Sequence, residues 1–183
     1  TLTASQTASL SSGLATFSSI VHSAEGTGLQ LTASATGFSG VSSSLFVIVL
    51  LPLPGEIIIN QFSPDYSAAS NEYVELLNKT DKTFDLSRLS ISYQSASGSG
   101  GGAGGVLTGS IGPYQYWLLS PDATITVGQT VSLARDGGFT AGFAAASGQL
   151  ALRLANAPNT IIDGLAYGTI TVNNLGEGTA AAS

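Results

Sequence analysis

Apolar residues along this chain recur at every second position, and runs with the three-and-four spacing of a helix are nearly absent. Residues 28–35 alternate cleanly, with Leu29, Leu31, Ala33 and Ala35 on one side. Residues 72–78 alternate too, with Tyr73 and Leu77 on one face and Val74 and Leu76 on the other. The pattern predicts strands beginning at Leu2 and over 15–21, 28–35 and 44–51. It continues with 56–62, 72–78, 84–86, 89–93, 106–111, 114–120, 130–134, 149–154 and 160–167, and a last short strand at 169–172. Gly, Ser, Asn and Pro clusters separate them, and the spacing of about ten residues suits a sandwich. The fold class is therefore all-β.

Two departures from alternation are informative. Leu45, Phe46, Val47, Ile48, Val49, Leu50 and Leu51 are apolar without interruption, so the run is expected to be buried on both faces. It is a candidate interdomain or subunit contact. Immediately after it, Pro52, Leu53, Pro54 and Gly55 form a stiff linker, because each proline fixes φ and removes a ladder donor. The expected organisation is a partial immunoglobulin-like module over 1–51, a linker at 52–55, a second β-sandwich over 56–168 and a tail at 169–183. Four strands in the first block are too few for a sandwich of about seven, so an apolar face and an edge await a partner. Residues 97–105, with six glycines, read as a flexible loop.

The second block resembles the bacterial lamin-tail domain family, an immunoglobulin-like sandwich. Glu56-Ile57-Ile58-Ile59-Asn60-Gln61-Phe62 is similar to its first strand, and Asn71-Glu72-Tyr73-Val74-Glu75-Leu76-Leu77-Asn78-Lys79 to its most recognisable motif. Phe84-Asp85-Leu86-Ser87-Arg88-Leu89-Ser90-Ile91 and Tyr116-Trp117-Leu118-Leu119 follow in order. Gly148-Gln149-Leu150-Ala151-Leu152-Arg153 and Ile161-Ile162-Asp163-Gly164-Leu165-Ala166-Tyr167-Gly168 resemble its last two strands. The likeness covers about 110 residues, and the glycine-rich insertion at 97–105 departs from it. It implies an accessory module of a secreted protein with no shared catalytic residues. The first block is loosely similar to the C-terminal half of a bacterial immunoglobulin-like repeat.

Composition narrows the function. Charged residues are 9% of the chain, against roughly 25% in an average soluble domain. The surface is covered by Ser, Thr, Gly, Asn and Gln, as in exported repeat modules. Five Lys and Arg in a chain of net charge −6 supply no basic patch, so nucleic acid is not an expected partner. Cysteine is absent, which rules out disulfides and thiolate metal sites. The apolar run at 45–53 is nine residues long, too short for a membrane helix of ~20. Methionine is absent and residue 1 is Thr, so the chain is expected to be a processed product or a fragment.

Candidate chemistry is sparse. The single histidine, His22, has no nucleophile elbow to serve. Glu72 and Glu75 are the nearest carboxylate pair, but three residues apart on a strand they point to opposite faces; one is expected in solvent and the other to anchor a turn or pair with Arg. Asp65, Asn71 and Glu72, or Asp81 and Asp85, offer oxygen ligands at two ends of the sandwich, without a calcium-loop motif. The glycines at 98–105 lack the Lys-Ser/Thr of a phosphate loop. Tyr114, Tyr116 and Trp117 are a candidate ligand platform, set against a core role for Trp117. Asn78-Lys79-Thr80 is a glycosylation sequon. No cofactor and no catalytic residue is expected. The sequence points to a non-enzymatic extracellular or cell-surface scaffold or filament subunit, self-associating or bound to other surface proteins by strand complementation. The alternative is an accessory carbohydrate- or surface-binding module.

Overall fold

A computed structural model describes residues 7–17, 20, 25–64, 71–127 and 131–176, with side chains at 101–103, 126, 127 and 131 left aside. The chain divides into two compact units, Thr1–Leu50 and Leu51–Ser183.

The described part of the first unit holds four short strands: β1 (Gly26–Leu29), β2 (Thr32–Ala33), β3 (Val41–Ser42) and β4 (Phe46–Ile48). They form two separate antiparallel ribbons, β1 with β4 and β2 with β3. The single strand expected over 28–35 is thus broken. Gly28 turns at φ 64°, and Leu31 N–H is taken by Ser43 Oγ at 3.1 Å, so the two halves pair with different strands. Residues 15–17 are not in a strand, and the rest of the strand expected there, like that at Leu2, falls at least partly outside the described residues.

The second unit is built from β5 (Ile57–Ser63), β6 (Tyr73–Asn78), β7 (Phe84–Asp85), β8 (Leu89–Ser95), β9 (Gly100–Val106), β10 (Ser110–Ile111), β11 (Tyr116–Leu119), β12 (Thr124–Val127), β13 (Val131–Ala134), β14 (Gly148–Leu154) and β15 (Ala157–Tyr167). All ladders are antiparallel. One sheet runs β11-β6-β5 and the other β15-β14-β8-β9, while β7–β10 and β12–β13 are separate ribbons. The period-two pattern decides the layers. Ile57, Val74, Leu76 and Leu119 of the three-stranded sheet are buried, as are Leu89, Ile91, Leu150 and Leu152 of the four-stranded one. Fully burying one such side chain stabilises by about 1.5–3 kcal/mol. Phe84, Leu86, Leu107 and Ile111 close the core at the Leu89 end of β8. Tyr93, Tyr167, Phe62, Phe139 and Phe143 close the other, with rings 4.9–5.3 Å apart.

Two expectations are corrected, and one strand is added. From Gly100 onward the glycine-rich segment is strand β9 and not a loop, with 97–99 left as the turn before it; Gly104 lies close enough to β8 that a Cβ would collide with the Ile91 carbonyl. Residues 169–172 are not a strand: Thr171 and Val172 donate backbone N–H bonds to the Ala96 carbonyl, and the segment bends back over the four-stranded sheet. There Gln149, fully buried, donates to Val172 O at 2.6 Å and accepts from Asn174 N and Leu175 N at 2.7 and 3.0 Å. That covering explains why Gln149 to Leu152 are buried at every position instead of every second one. Finally, β12 is an unexpected partner for β13.

Candidate functional site

The three-stranded sheet presents its outer face through alternate residues. Across the ladders, Tyr116 stands opposite Leu77 and Leu77 opposite Ile58, while Leu118 stands opposite Glu75. Asn60 Nδ2 donates to Glu75 Oε1 at 2.7 Å on this face. Tyr114 and Tyr116 are 66% and 57% exposed. Trp117, next along β11, alternates to the inner side and is half-buried against Gly109 and Gly137, where a Cβ would come within 2.7–3.1 Å of the indole. The structure therefore divides the aromatic cluster: Trp117 belongs to packing, and Tyr114 and Tyr116 remain on the surface.

Glu72 lies on the inner side with Val74 and Leu76 and is 1% exposed. Its carboxylate accepts from Gly142 N at 2.9 Å and Phe143 N at 2.9 Å. Ala144 N donates to Tyr93 Oη at 3.0 Å, and Tyr167 Oη donates to Ala144 O at 2.6 Å. Burial, reinforced by the neighbouring Tyr93 and Glu72, pushes the Tyr167 phenol well above its usual range. Glu72, Tyr93 and Tyr167 thus fasten the 142–144 segment over one end of the core. Glu75 is on the opposite face, so the two carboxylates share no site. The turn-anchoring role falls to Glu72, on partners about seventy residues away.

Asn78 and Asp85 serve the local structure. Asn78 is fully buried; Nδ2 donates to Lys82 O and Gly112 O at 2.6 and 2.8 Å, and Oδ1 accepts from Thr80 N and Oγ1. An amide so enclosed offers no nitrogen to a glycosyltransferase, and the sequon is a turn motif. Asp85 caps the short 3-10 turn Leu86–Arg88 by accepting from Ser87 N, and its carboxyl pKa is lowered first by the Ser87 side chain, then by that N–H and by Arg88. Glu56 is held below its ordinary range first by Lys82, 2.7 Å away, and then by Leu53 N–H. Among the described residues no three His, Cys, Asp or Glu side chains converge as a metal site. His22 and Asp65 lie outside the described residues. No helix among the described residues is long and apolar enough to cross a membrane.

Within the chain, the apolar run at 45–51 is not buried on both faces. Phe46 and Ile48 of β4 are half-buried, as are Val49 and Leu50, while Leu45 and Val47 are 65% and 58% exposed and Leu51 is exposed too. The reason lies in the fold of the first unit: among the described residues, β4 pairs with the four-residue β1 alone. Among the described residues of 7–50, none is buried.

A three-stranded and a four-stranded antiparallel sheet enclosing one core define an immunoglobulin-like β-sandwich. Residues 52–169 match the lamin tail domain, and the chain belongs to that non-catalytic family. No curated protein and no solved structure matches it.

Proposed function

We propose that the chain is a non-enzymatic structural subunit of an extracellular or cell-surface assembly, joined copy to copy through its first unit. The observation that carries this reading is the exposure of Val47 on β4 and of Leu45 just before it, in a unit with no buried residue among those described. Isolated two-stranded ribbons are marginally stable in water. A strand or sheet face from a second copy would complete the ladder beside β4 and cover its apolar side chains. The sparse charge and the Ser/Thr/Gly-rich surface favour an exported setting, and the few cations disfavour nucleic acid.

The test is assembly state, by light scattering and electron microscopy over a wide concentration range. The expected result is ordered oligomers or fibres, with Val47→Asp or Leu45→Asp returning the chain to a monomer while the circular dichroism of the sandwich is unchanged. A monodisperse monomer at all concentrations overturns self-association and leaves an accessory binding module.

A further inference from the structure

The turn leading into β11 places a large side chain where the backbone resists one. Gln115 N–H donates to Gly112 O at 3.3 Å, Pro113 occupies the second position, and Tyr114 occupies the third with φ 55°. This is the pattern of a type II turn, whose third position favours Gly or Asn because a Cβ crowds the following carbonyl. A bulky residue there is a genuine outlier. Burial does not compensate, since the Tyr114 side chain is largely in solvent. Strain retained without a packing gain points to a function for the ring.

A second exposed ring follows two residues later. Tyr116 ends a row across the outer face, Tyr116–Leu77–Ile58, and the hydrogen-bonded Asn60 and Glu75 lie on the same sheet face. Exposed aromatic rings bordered by a carboxamide and a carboxylate match a ligand with an apolar face and a hydroxyl rim. Sugar rings have that character: their C–H faces stack on tyrosine, and their hydroxyls donate to carboxylate and accept from carboxamide. A polyanion does not fit a chain of net charge −6.

We propose that Tyr114 and Tyr116 form a stacking platform for the pyranose rings of a neutral oligosaccharide, with Asn60 and Glu75 supplying the polar contacts beside it. The proposal is independent of the self-association argued above, because it concerns the other unit of the chain.

The experiment is a titration of the full chain with hexaoses of β-linked glucose, N-acetylglucosamine, mannose and xylose, read by calorimetry and by the tyrosine ring resonances. At least one sugar is expected to bind with Kd below about 1 mM. Tyr116→Ala and Tyr114→Gly should each weaken it by about tenfold or more, while Tyr114→Gly holds or raises Tm, because glycine relieves the left-handed strain. The proposal is overturned if no sugar moves the Tyr114 and Tyr116 resonances at about 10 mM. Unchanged affinity in Tyr114→Gly also overturns it. So does a fall in Tm for that variant, which would make the ring a structural one.

Discussion

Glu72 brings its carboxyl group into the core and is kept there by two backbone N–H groups from a segment seventy residues away. A buried carboxylate is tolerated only when hydrogen-bonded. Glu72→Ala leaves the Gly142 and Phe143 donors unpaired and should destabilise the sandwich by about 2–4 kcal/mol. Urea unfolding measures this, and faster amide exchange at Gly142 and Phe143 locates it; a loss below about 0.5 kcal/mol would mean these bonds are not an anchor. The side of the strand that Glu72 occupies was readable in the sequence, because alternation puts it with Val74 and Leu76. Its partners were not, since nothing local in the chain links position 72 to 142. The same limit applies to Gln149, a polar residue in a strand whose buried amide is explained only by the returning segment at 172–175.

At the scale of elements, the strands with strong alternation or β-branched runs, such as β5, β6, β8, β14 and β15, are legible from pattern alone. β9 is not, because glycine has no side chain to show a period. Its strand state comes from close approach: Gly104, at φ 103°, exchanges backbone bonds of 2.8 Å with Thr140 and lies against the Ile91 carbonyl. Gly104→Ala should therefore cost about 2–3 kcal/mol, combining an unfavourable φ with a clash against backbone. Chemical denaturation reads the loss, and unchanged stability would return the segment to a loop. Gly104's bonds to Thr140 also blunt an exposed edge. β11 is covered in the same way by Asp136 and Gly137, which bond Leu118, and β5 by Asp163, whose carboxylate accepts from Ile59 N at 2.6 Å beside a bulge.

At the scale of the whole molecule, pH separates two sets of contacts. Glu56 and Asp85 have folded pKa values below their ordinary 4.5 and 3.8, so their contribution is present above those values and is lost as pH falls through the lowered ones. Lys82 is partly exposed, so the Glu56 pair contributes less than about 1 kcal/mol. Tyr167 is raised above its ordinary 10.0; its contribution is full below that value and is lost as pH rises beyond it. Denaturation midpoints should thus fall on the acid side below about pH 4.5 and on the alkaline side above about pH 10. Tyr167→Phe should flatten the alkaline limb, and Lys82→Met should soften the acid one. An alkaline limb that persists in Tyr167→Phe would assign it to another phenol.

The buried Gln149 amide has a mechanical meaning. Its side chain holds Val172, Asn174 and Leu175, and its own strand, β14, is laddered on both sides by β8 and β15. A pull on the segment at 172–176 is therefore transmitted into the centre of the four-stranded sheet instead of peeling an edge. Load shared across two ladders resists rupture better than load on one, so tension along this end of the chain meets the strongest part of the sandwich first.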